Sequence, residues 1–259
     1  MTTVLALANQ KGGVGKTTTA INLGAALAKR GHAVLLIDID PQANATAGLG
    51  LRAPNGASTY ELLLEETPLS QVVIATGCEH LFVVPSTSDL AGAEIELTSA
   101  LAREYRLKRA LEGAIESYEF VIIDSPPSLG LLTINALAAA DEVIVPVQCE
   151  YLALEGLGQL MHTLERVRRN LNRDLRLRGL LLTMYDRRTN LSEQVAQEVR
   201  SHFANAFRAV IPRSVRLSEA PSHGLPINAY DPTSAACAAY EALAEEVLEA
   251  VNTPVEVSP

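Results

Sequence analysis

The sequence predicts an α/β fold, a doubly wound and mostly parallel β-sheet with helices on both faces. Short apolar runs alternate with longer segments of helical periodicity along the 259 residues. The strand-length runs are hydrophobic throughout, which is typical of parallel strands buried on both faces. Aromatic residues make up only 4% of the chain, so aliphatic side chains must fill the interior. The alternation favours right-handed strand–helix–strand units within one sheet.

The individual elements follow from these patterns. Strands are expected at Thr3–Ala8, Ala33–Ile39, Leu81–Pro85, Phe120–Asp124, Glu142–Val147, Arg178–Met184 and Ala209–Ile211. Helices are expected at Lys16–Lys29, Tyr60–Leu64, Leu101–Glu116, Leu131–Ala139, Leu154–Leu171, Ser192–Ala204 and Ser234–Val251. No long linker or repeat interrupts them, so residues 1–251 are expected to form one domain. Residues 252–259 carry two prolines and little to bury, which predicts a disordered tail.

The cysteines and the N-terminus exclude several classes of protein. Cys78, Cys149 and Cys237 are far apart and form no CxxC pair, which indicates neither a zinc site nor a disulfide framework. The first apolar run is too short for a signal peptide or a membrane span. We therefore expect a cytoplasmic protein with reduced thiols.

Charge is distributed unevenly along the chain. The formal net charge of −9 argues by itself against a nucleic-acid partner. Between Leu160 and Ala220, however, there are twelve arginines and six acidic residues, whereas the rest of the chain holds nine basic and 24 acidic residues. This asymmetry favours a basic face on an acidic body. The alternative, in which the arginines are only the solvated outer faces of helices, stays open.

The strongest motif is the glycine-rich segment Gln10–Thr18, which follows a predicted strand and opens a predicted helix. Glycines let the backbone curl so that successive N–H groups point at phosphate oxygens, and the helix adds the positive end of its dipole. Lys16 is expected to reach the β- and γ-phosphates, and the Thr17 hydroxyl to ligate Mg²⁺. The candidate nucleotide-binding residues are Lys11, Gly12, Gly13, Val14, Gly15, Lys16, Thr17 and Thr18. The motif departs from the strict phosphate-loop pattern, because Gln10 replaces its first glycine and a second lysine, Lys11, follows.

Two predicted strands end in acids. Asp38 and Asp40 alternate to the same side of one strand, and Asp124 ends another hydrophobic strand in the Walker B form. Ligands bind at the carboxyl ends of parallel strands, so we expect Asp124 to hold Mg²⁺ through water. Each acid alone could equally be a helix cap or a turn residue. Three such acids beside a phosphate loop favour a catalytic site.

These motifs resemble one family. Lys11–Thr17 resembles the deviant Walker A motif of the class that contains ParA, MinD and the nitrogenase iron protein. More specific similarities lie at Asp38–Asn44, Leu90–Leu97, Asp124–Thr133, Pro146–Tyr151, Thr189–Leu191 and Ser218–Gly224. Over nearly its whole length the chain is similar to the ParA/Soj chromosome-partitioning ATPases.

The resemblance implies a cycle driven by ATP and Mg²⁺. ATP closes two subunits into a homodimer, in which Lys11 reaches the partner's nucleotide. The catalytic residues are then Asp40, which orients the attacking water, Lys11 and Lys16; Asp38 serves the Mg²⁺ shell through water. The dimer binds double-stranded DNA of the nucleoid without sequence preference. A ParB-like (Spo0J-like) partner stimulates the slow hydrolysis, and a replication initiator is a further partner of some members.

The resemblance also assigns binding residues late in the chain. Arg188 and Arg216 match DNA-binding positions, and Arg187 adjoins the first of them. Arginine without interleaved aromatics suits phosphate contacts, so binding is expected to be non-specific and dependent on salt. Met184 and Pro212 lie on loops of the kind that hold adenine, although ordinary packing is an open alternative for both.

Three other functions are weighed against this one. A MinD-like membrane-cycling ATPase needs a basic amphipathic C-terminal helix, but Ser234–Val251 carries glutamates and no Lys or Arg, so no membrane partner is expected. An iron–sulfur reductase like the nitrogenase iron protein needs paired cysteines at its dimer axis, which the three cysteines do not match. A nucleotide-dependent scaffold with negligible hydrolysis stays open.

Overall fold

The computed structural model describes residues 2–54, 56–150 and 155–251. The strands are β1 (Thr3–Leu7), β2 (Val34–Asp38), β3 (Ile74–Ala75), β4 (Leu81–Val84), β5 (Phe120–Asp124), β6 (Glu142–Gln148), β7 (Arg176–Tyr185) and β8 (Ala206–Pro212). They form one sheet in the order β3-β4-β2-β5-β1-β6-β7-β8. Every pairing is parallel except that of the short β3 with β4. The predicted mostly parallel sheet is therefore confirmed.

Helices cover both faces of this sheet. The described residues form α1 (Lys16–Lys29), α2 (Asn44–Gly48), α3 (Thr59–Leu64), α4 (Leu69–Val72), α5 (Leu90–Leu97), α6 (Arg106–Leu111), α7 (Leu131–Ala139), α8 (Glu155–Asn170), α9 (Asn190–His202), α10 (Val215–Glu219), α11 (Ile227–Tyr230) and α12 (Ala235–Val251). Two 3₁₀ turns, Arg103–Tyr105 and Ala220–His223, precede α6 and follow α10.

The interior consists of two hydrophobic layers, one on each face of the sheet. Along β1, Val4 and Ala6 contribute to one layer, and Leu5 and Leu7 to the other. This alternation follows from the two-residue period of a strand. The first layer receives side chains from α3, α5, α7, α8 and α9, and the second from α1 and α12, which pack against each other. Because both faces are covered, the central strands can be apolar throughout.

The register of the central strands brings the predicted site together. β5 lies between β1 and β2, with Leu7 and Asp38 on either side of Asp124. The carboxyl ends of three strands therefore meet in one row, directly below the loop that leads from β1 into α1. This is the edge at which open parallel sheets bind ligands.

Some element predictions were wrong. The helix expected at Leu101–Glu116 is reduced to the turn Arg103–Tyr105 and the short α6, because Ala102 has a left-handed φ of 49° before it and Gly113 a φ of 69° after it. The strand expected at Ala209–Ile211 extends over Ala206–Pro212. In this edge strand buried residues alternate with half-buried or exposed ones, so it is not continuously buried.

Several short elements had no signal in the sequence. β3 has two residues, and α2, α4, α10 and α11 have four or five, which is too few to reveal a period. The predicted helix start at Leu154 and the predicted tail at residues 252–259 lie outside the described residues.

Candidate active site

The glycine-rich loop between β1 and α1 has the curled backbone that the sequence predicts. Gly13 and Gly15 have φ values of 74° and 91°, in the left-handed region that a Cβ disfavours. The helix begins at once, with the N–H of Thr19 donating to the Gly15 carbonyl at 2.9 Å. The Thr183 hydroxyl donates to the Val14 carbonyl at 2.8 Å, which ties the loop to β7. The loop is thus fixed at the positive end of α1.

Lys16 lies almost completely inside this loop, with 6% of its surface exposed. Its ammonium group donates to the carbonyl of Asn9 at 3.0 Å and to that of Lys11 at 3.3 Å. Burial lowers the pKa of Lys16, and the nearby carboxylates of Asp124 and Asp40 oppose that shift. The cation therefore faces the loop interior, where phosphate groups would stabilise its charged form.

Lys11, by contrast, is exposed at the mouth of the loop. Its backbone N–H donates to Oδ1 of Asn9 at 3.0 Å, and the Asn9 amide in turn donates to the Pro146 carbonyl at 2.7 Å. The Lys11 ammonium lies 3.7 Å from a carboxylate oxygen of Glu150. The backbone at Lys11 is therefore fixed to β6, while its side chain is held only by an exposed ion pair that can open readily.

Asp124 is fully buried, and both of its carboxylate oxygens lack a hydrogen-bond partner among the described residues. Burial raises the pKa of Asp124 well above the ordinary carboxyl value, and the neighbouring Asp38 raises it further. The Thr17 hydroxyl is close enough to lower this pKa, but it does not have the geometry of a hydrogen bond to either oxygen. Buried carboxylates normally have partners, so these two oxygens mark a position for a cation or its bound water.

Asp38 is equally buried but has partners. Its Oδ2 accepts from the backbone N–H of Thr46 at 2.9 Å and from the Thr46 hydroxyl at 2.7 Å, and its Oδ1 accepts from the N–H of Asp40 at 3.2 Å. Burial raises the pKa of Asp38 to about 6 despite these bonds. Asp38 thus anchors α2 to the end of β2, and its predicted place in the Mg²⁺ shell stays a prediction.

Asp40 lies at the edge of the cleft that the loop borders. Its Oδ1 accepts from the N–H of Gln42 at 2.9 Å, and its carbonyl accepts from the Ser86 hydroxyl at 2.7 Å. These bonds fix the backbone around Asp40, while no described residue forms a hydrogen bond with its Oδ2. The carboxylate is placed to orient a water molecule in the cleft, as the predicted role requires.

The cleft itself consists of two connected hollows. The first, of about 630 Å³, is lined by the glycine-rich loop, by Asp40 and Gln42 and by residues that follow α10. The second, of about 430 Å³, contains both Met184 and Pro212 and shares Gly15 and Pro221 with the first. A further cavity of about 650 Å³ near α3 and α6 includes none of the residues of the loop.

Met184 has a backbone conformation that is unusual for a residue with a side chain. Its φ is 52°, in the left-handed region, which costs about 1–3 kcal/mol for a residue with a Cβ. Such strain is concentrated at ligand sites. The structure thus brings Met184 to the wall of both hollows, while the role of Met184 and Pro212 with adenine stays a prediction.

The sequence did not reveal several residues that shape the site. Asn9, Thr46 and Thr183 each hold a site element by side-chain hydrogen bonds, but single hydrogen-bonding residues leave no periodic or motif signal. The segment Ala220–Leu225 forms one wall of the first hollow. Only the similarity at Ser218–Gly224 could have indicated it.

The predicted DNA-binding arginines do not all line the same hollow. Arg187 and Arg188 line an open hollow of about 860 Å³ between the end of β7 and α12. Arg216, on α10, lies outside that hollow and is paired with Glu219 at 3.0 Å and Asp231 at 3.5 Å. The hollow gathers five arginines and is called the arginine hollow below: Arg187, Arg188, Arg200, Arg208 and Arg213.

The C-terminal helix packs on the sheet through an apolar face, and its glutamates pair with basic residues of the rest of the chain. Glu241 pairs with Lys29 and Arg30, and Glu246 lies 3.5 Å from Arg208. Within the described part of the chain, none of the helices is long and apolar enough to cross a membrane.

A curled glycine loop that opens a helix at the carboxyl end of a central parallel strand is characteristic of P-loop nucleotide hydrolases. The fold and the site place the chain in that class. A family model described as an AAA domain matches residues 2–177. The chain is 56% identical, over 94% of its length and 97% of the relative, to the sporulation initiation inhibitor protein Soj of Bacillus subtilis. It is 55% identical to the chromosome-partitioning ATPase Soj of Thermus thermophilus, over 96% of both chains.

The chain belongs to the ParA/Soj family of chromosome-partitioning ATPases. Among solved structures, it is similar to a Mycobacterium smegmatis protein described as cobyrinic acid a,c-diamide synthase with bound ATP analogue and magnesium. That similarity has a TM-score of 0.86 and 41% identity, over 98% of this chain and 97% of the other. The predicted family, fold and ATPase class are confirmed, as are ATP and Mg²⁺ as the cofactors.

Proposed function

We propose that the chain is an ATP-dependent dimerising switch in chromosome segregation, which binds DNA without sequence preference. A ParB-like (Spo0J-like) partner stimulates its ATP hydrolysis. The observation that carries the proposal is the pair of lysines in one loop: Lys16 is buried among carbonyls, whereas Lys11 is exposed at the loop mouth. One cation serves the chain's own nucleotide, and the other is free to serve a nucleotide on a facing chain.

The residues present fit Mg·ATP. The loop N–H groups and Lys16 bind the phosphates, and Thr17 with Asp124 holds Mg²⁺, directly or through water. The two unpartnered oxygens of Asp124 support this assignment, since a hydrated cation supplies the donors that the fold omits. When bound, Mg²⁺ neutralises negative charge on the phosphate oxygens. Adenine occupies the second hollow, between Met184 and Pro212.

Hydrolysis depends on the chain's own carboxylate and on the partner's lysine. Asp40 orients the attacking water at the edge of the first hollow. Lys11 leaves Glu150 and places its charge near the γ-phosphate of the facing subunit, so the complete site exists only in the dimer. An exposed ion pair is worth about 0–1 kcal/mol, which a triphosphate can replace. Dimerisation is therefore gated by the nucleotide.

The proposed DNA-binding surface is formed by arginines in and near the arginine hollow. Arg187, Arg188 and Arg216, which follows Arg213 closely in sequence, contact phosphates rather than bases. Tyr185 is the only aromatic residue among the described residues that line the arginine hollow, so there is little surface on which bases could stack. One acidic monomer binds weakly, while a dimer doubles the contacts. The switch would thus associate with nucleoid DNA only in its ATP state. A replication initiator is a further candidate partner.

A DNA-retention assay tests this function. Wild-type chain with ATP and Mg²⁺ is expected to retain non-specific duplex DNA at low salt, and Arg188→Glu to lose at least about tenfold in affinity because it reverses a phosphate contact. Arg173→Glu, an exposed arginine outside the arginine hollow, is the matched control and should bind almost normally. If both variants bind like wild type, or if wild type retains no DNA, the proposed DNA-binding role is wrong.

A further inference from the structure

The carboxylate of Asp186 binds the guanidinium group of Arg188, the predicted DNA-binding arginine. Asp186 accepts from Nε of Arg188 at 2.9 Å through Oδ1 and from a terminal guanidinium nitrogen at 2.6 Å through Oδ2. Its Oδ1 also accepts from the backbone N–H of Arg188 at 3.0 Å. The two parallel side-chain bonds have the fork geometry with which arginine binds either a carboxylate or a phosphate.

The surroundings hold Asp186 more firmly than Arg188. The Arg188 side chain is 87% exposed, whereas that of Asp186 is 18% exposed. The carbonyl of Asp186 accepts from the backbone N–H of Thr189 at 3.1 Å and from the Thr189 hydroxyl at 3.0 Å, and its N–H donates to Ser192 at 3.2 Å. Asp186 is thus fixed in the turn between β7 and α9, and Arg188 folds back onto it.

None of the other arginines of the arginine hollow is paired with a carboxylate of its own turn among the described residues. Arg187 and Arg213 make no ion pair with any described residue. The hydrogen bonds from Arg188 keep the pKa of Asp186 well below its usual range, and the charge of Arg213 adds to that effect. Arg208 is paired instead with Glu246 and Glu249 of α12. Arg188 therefore combines nearly full exposure with a bidentate pair, through Nε and one terminal nitrogen, to a carboxylate of its own turn.

We propose that Asp186 is a built-in competitor for DNA phosphate, which occupies the phosphate position on Arg188 in the DNA-free chain. A DNA phosphate must displace this carboxylate before it can form the same two bonds. This inference rests on the proposed DNA-binding function and adds a residue that sets its affinity. The competitor weakens the contact that one subunit makes, so that stable binding requires the several contacts of a dimer.

Asp186→Asn tests the competitor directly. The amide keeps the turn, because its oxygen can still accept from the Arg188 N–H, but it removes the charge and the bidentate partner. With ATP and Mg²⁺, we expect the variant to bind a non-specific 40-base-pair duplex about three- to tenfold more tightly at 100 mM salt. The slope of log affinity against log salt should become steeper by about 0.9 per subunit, since one more net positive charge meets the phosphates.

Two controls separate this effect from a general change in charge. Asp174→Asn makes the same change at an exposed position before β7, at the opposite end of that strand, and should leave DNA affinity unaltered. In an Arg188→Gln background, Asp186→Asn should lose most of its gain, because the arginine that it releases is absent. Asp186→Ser, which can also support the turn, should reproduce the gain if the asparagine variant folds poorly.

The outcomes distinguish the two proposals. Tighter binding that depends on Arg188 supports the competitor. Unchanged or weaker binding by both folded Asp186 variants overturns it, as does a gain of equal size in the Arg188→Gln background. If the wild-type chain retains no DNA in any nucleotide state at low salt, the DNA-binding function itself fails.

Discussion

Asp124 is a carboxylate that the fold buries without a hydrogen bond, next to a second buried acid at the same level of the sheet. A buried polar group without a partner costs about 1–3 kcal/mol. The nucleotide-free chain therefore carries this cost at the point where we propose that Mg²⁺ binds. The charged form of Lys16 is also disfavoured in the absence of phosphate, since burial lowers the pKa of this side chain. Binding of Mg·ATP would relieve both.

Replacement of Asp124 by Asn is expected to stabilise the nucleotide-free chain while abolishing Mg²⁺-dependent hydrolysis. The pKa of Asp124 is raised in the folded chain. As the pH rises above the ordinary carboxyl pKa, the unfolded chain therefore loses this proton more readily than the folded chain, and the free energy of unfolding falls. The gain in Tm, about 2–6 °C at pH 8, should shrink towards zero near pH 4. Thermal unfolding at both pH values measures it.

Asp38→Asn is the matched comparison for that experiment. Asp38 accepts bonds at both oxygens, so an amide would place its NH₂ group against a backbone donor in either orientation. This variant should be less stable than wild type. A stabilised Asp38→Asn, or an Asp124→Asn whose Tm difference is the same at both pH values, contradicts the assignment of partners at these two acids.

Asp40→Ala is expected to slow ATP hydrolysis by at least about 100-fold, because positioned general-base groups contribute factors of about 10²–10⁴. ATP affinity should change little, since the loop and Lys16 are intact. Phosphate release and nucleotide binding are measured on the same preparation. Asp174→Ala, remote from the cleft, should hydrolyse ATP normally. A wild-type rate in Asp40→Ala would remove Asp40 from the catalytic residues.

Candidate site residues that belong to a motif could be predicted from the sequence. The residues that hold them in place by hydrogen bonds could not. Lys11, Lys16, Asp40 and Asp124 could be inferred because a loop of fixed length and strand ends place them. Thr46 holds the same site through hydrogen bonds that depend only on the tertiary structure. Nothing in the spacing of Thr46 distinguishes it from a surface threonine.

At the scale of elements, α2 and the segment after α10 meet through two glycines. Gly50 and Gly224 have φ values of 72° and 68°, and a Cβ on Gly224 would lie 2.6 Å from the Cα of Gly50. Both segments line the first hollow, since α2 contributes Asn44 and Ala47, and the segment after α10 contributes Pro221. This crossing therefore joins two of the segments that line the proposed nucleotide cleft.

Gly224→Ala is expected to destabilise the chain by about 2–5 kcal/mol. A left-handed φ costs about 1–2 kcal/mol for a residue with a Cβ, and overpacking against backbone adds about 1–3 kcal/mol. Gly113→Ala isolates the first effect, because Gly113 has a similar φ of 69° with no atom within 4 Å of its Cβ position. Denaturant unfolding compares the two. Equal losses would show that the close contact with Gly50 has no energetic weight.

The predictability of the elements depended on their length and burial. Central strands such as β2 and β5 are buried at every residue, so a continuous apolar run located them within two residues. Edge and short elements depend on tertiary contacts instead. The predicted helix at Leu101–Glu116 was shortened at Gly113 and at a left-handed Ala102, and an alanine gives no warning of that conformation in sequence.

At the scale of the whole molecule, both interpretations of the arginine-rich region hold for different residues. Arg166, Arg168 and Arg169 lie on the exposed face of α8, as solvated helix positions do. Five others converge on the arginine hollow near the end of β7. The sequence could count the charges, but only the fold decides which of them share a surface.

The central claim is that ATP joins two chains through Lys11, and the most direct test is the molar mass in solution. Light scattering coupled to size-exclusion chromatography is expected to give a 27.7 kDa monomer without nucleotide or with ADP, and twice that mass with ATP and Mg²⁺. Lys11→Ala should stay monomeric with ATP, whereas Lys108→Ala, on α6, should dimerise like wild type. A wild-type chain that binds ATP yet stays monomeric, or a Lys11→Ala variant that dimerises normally, would contradict it.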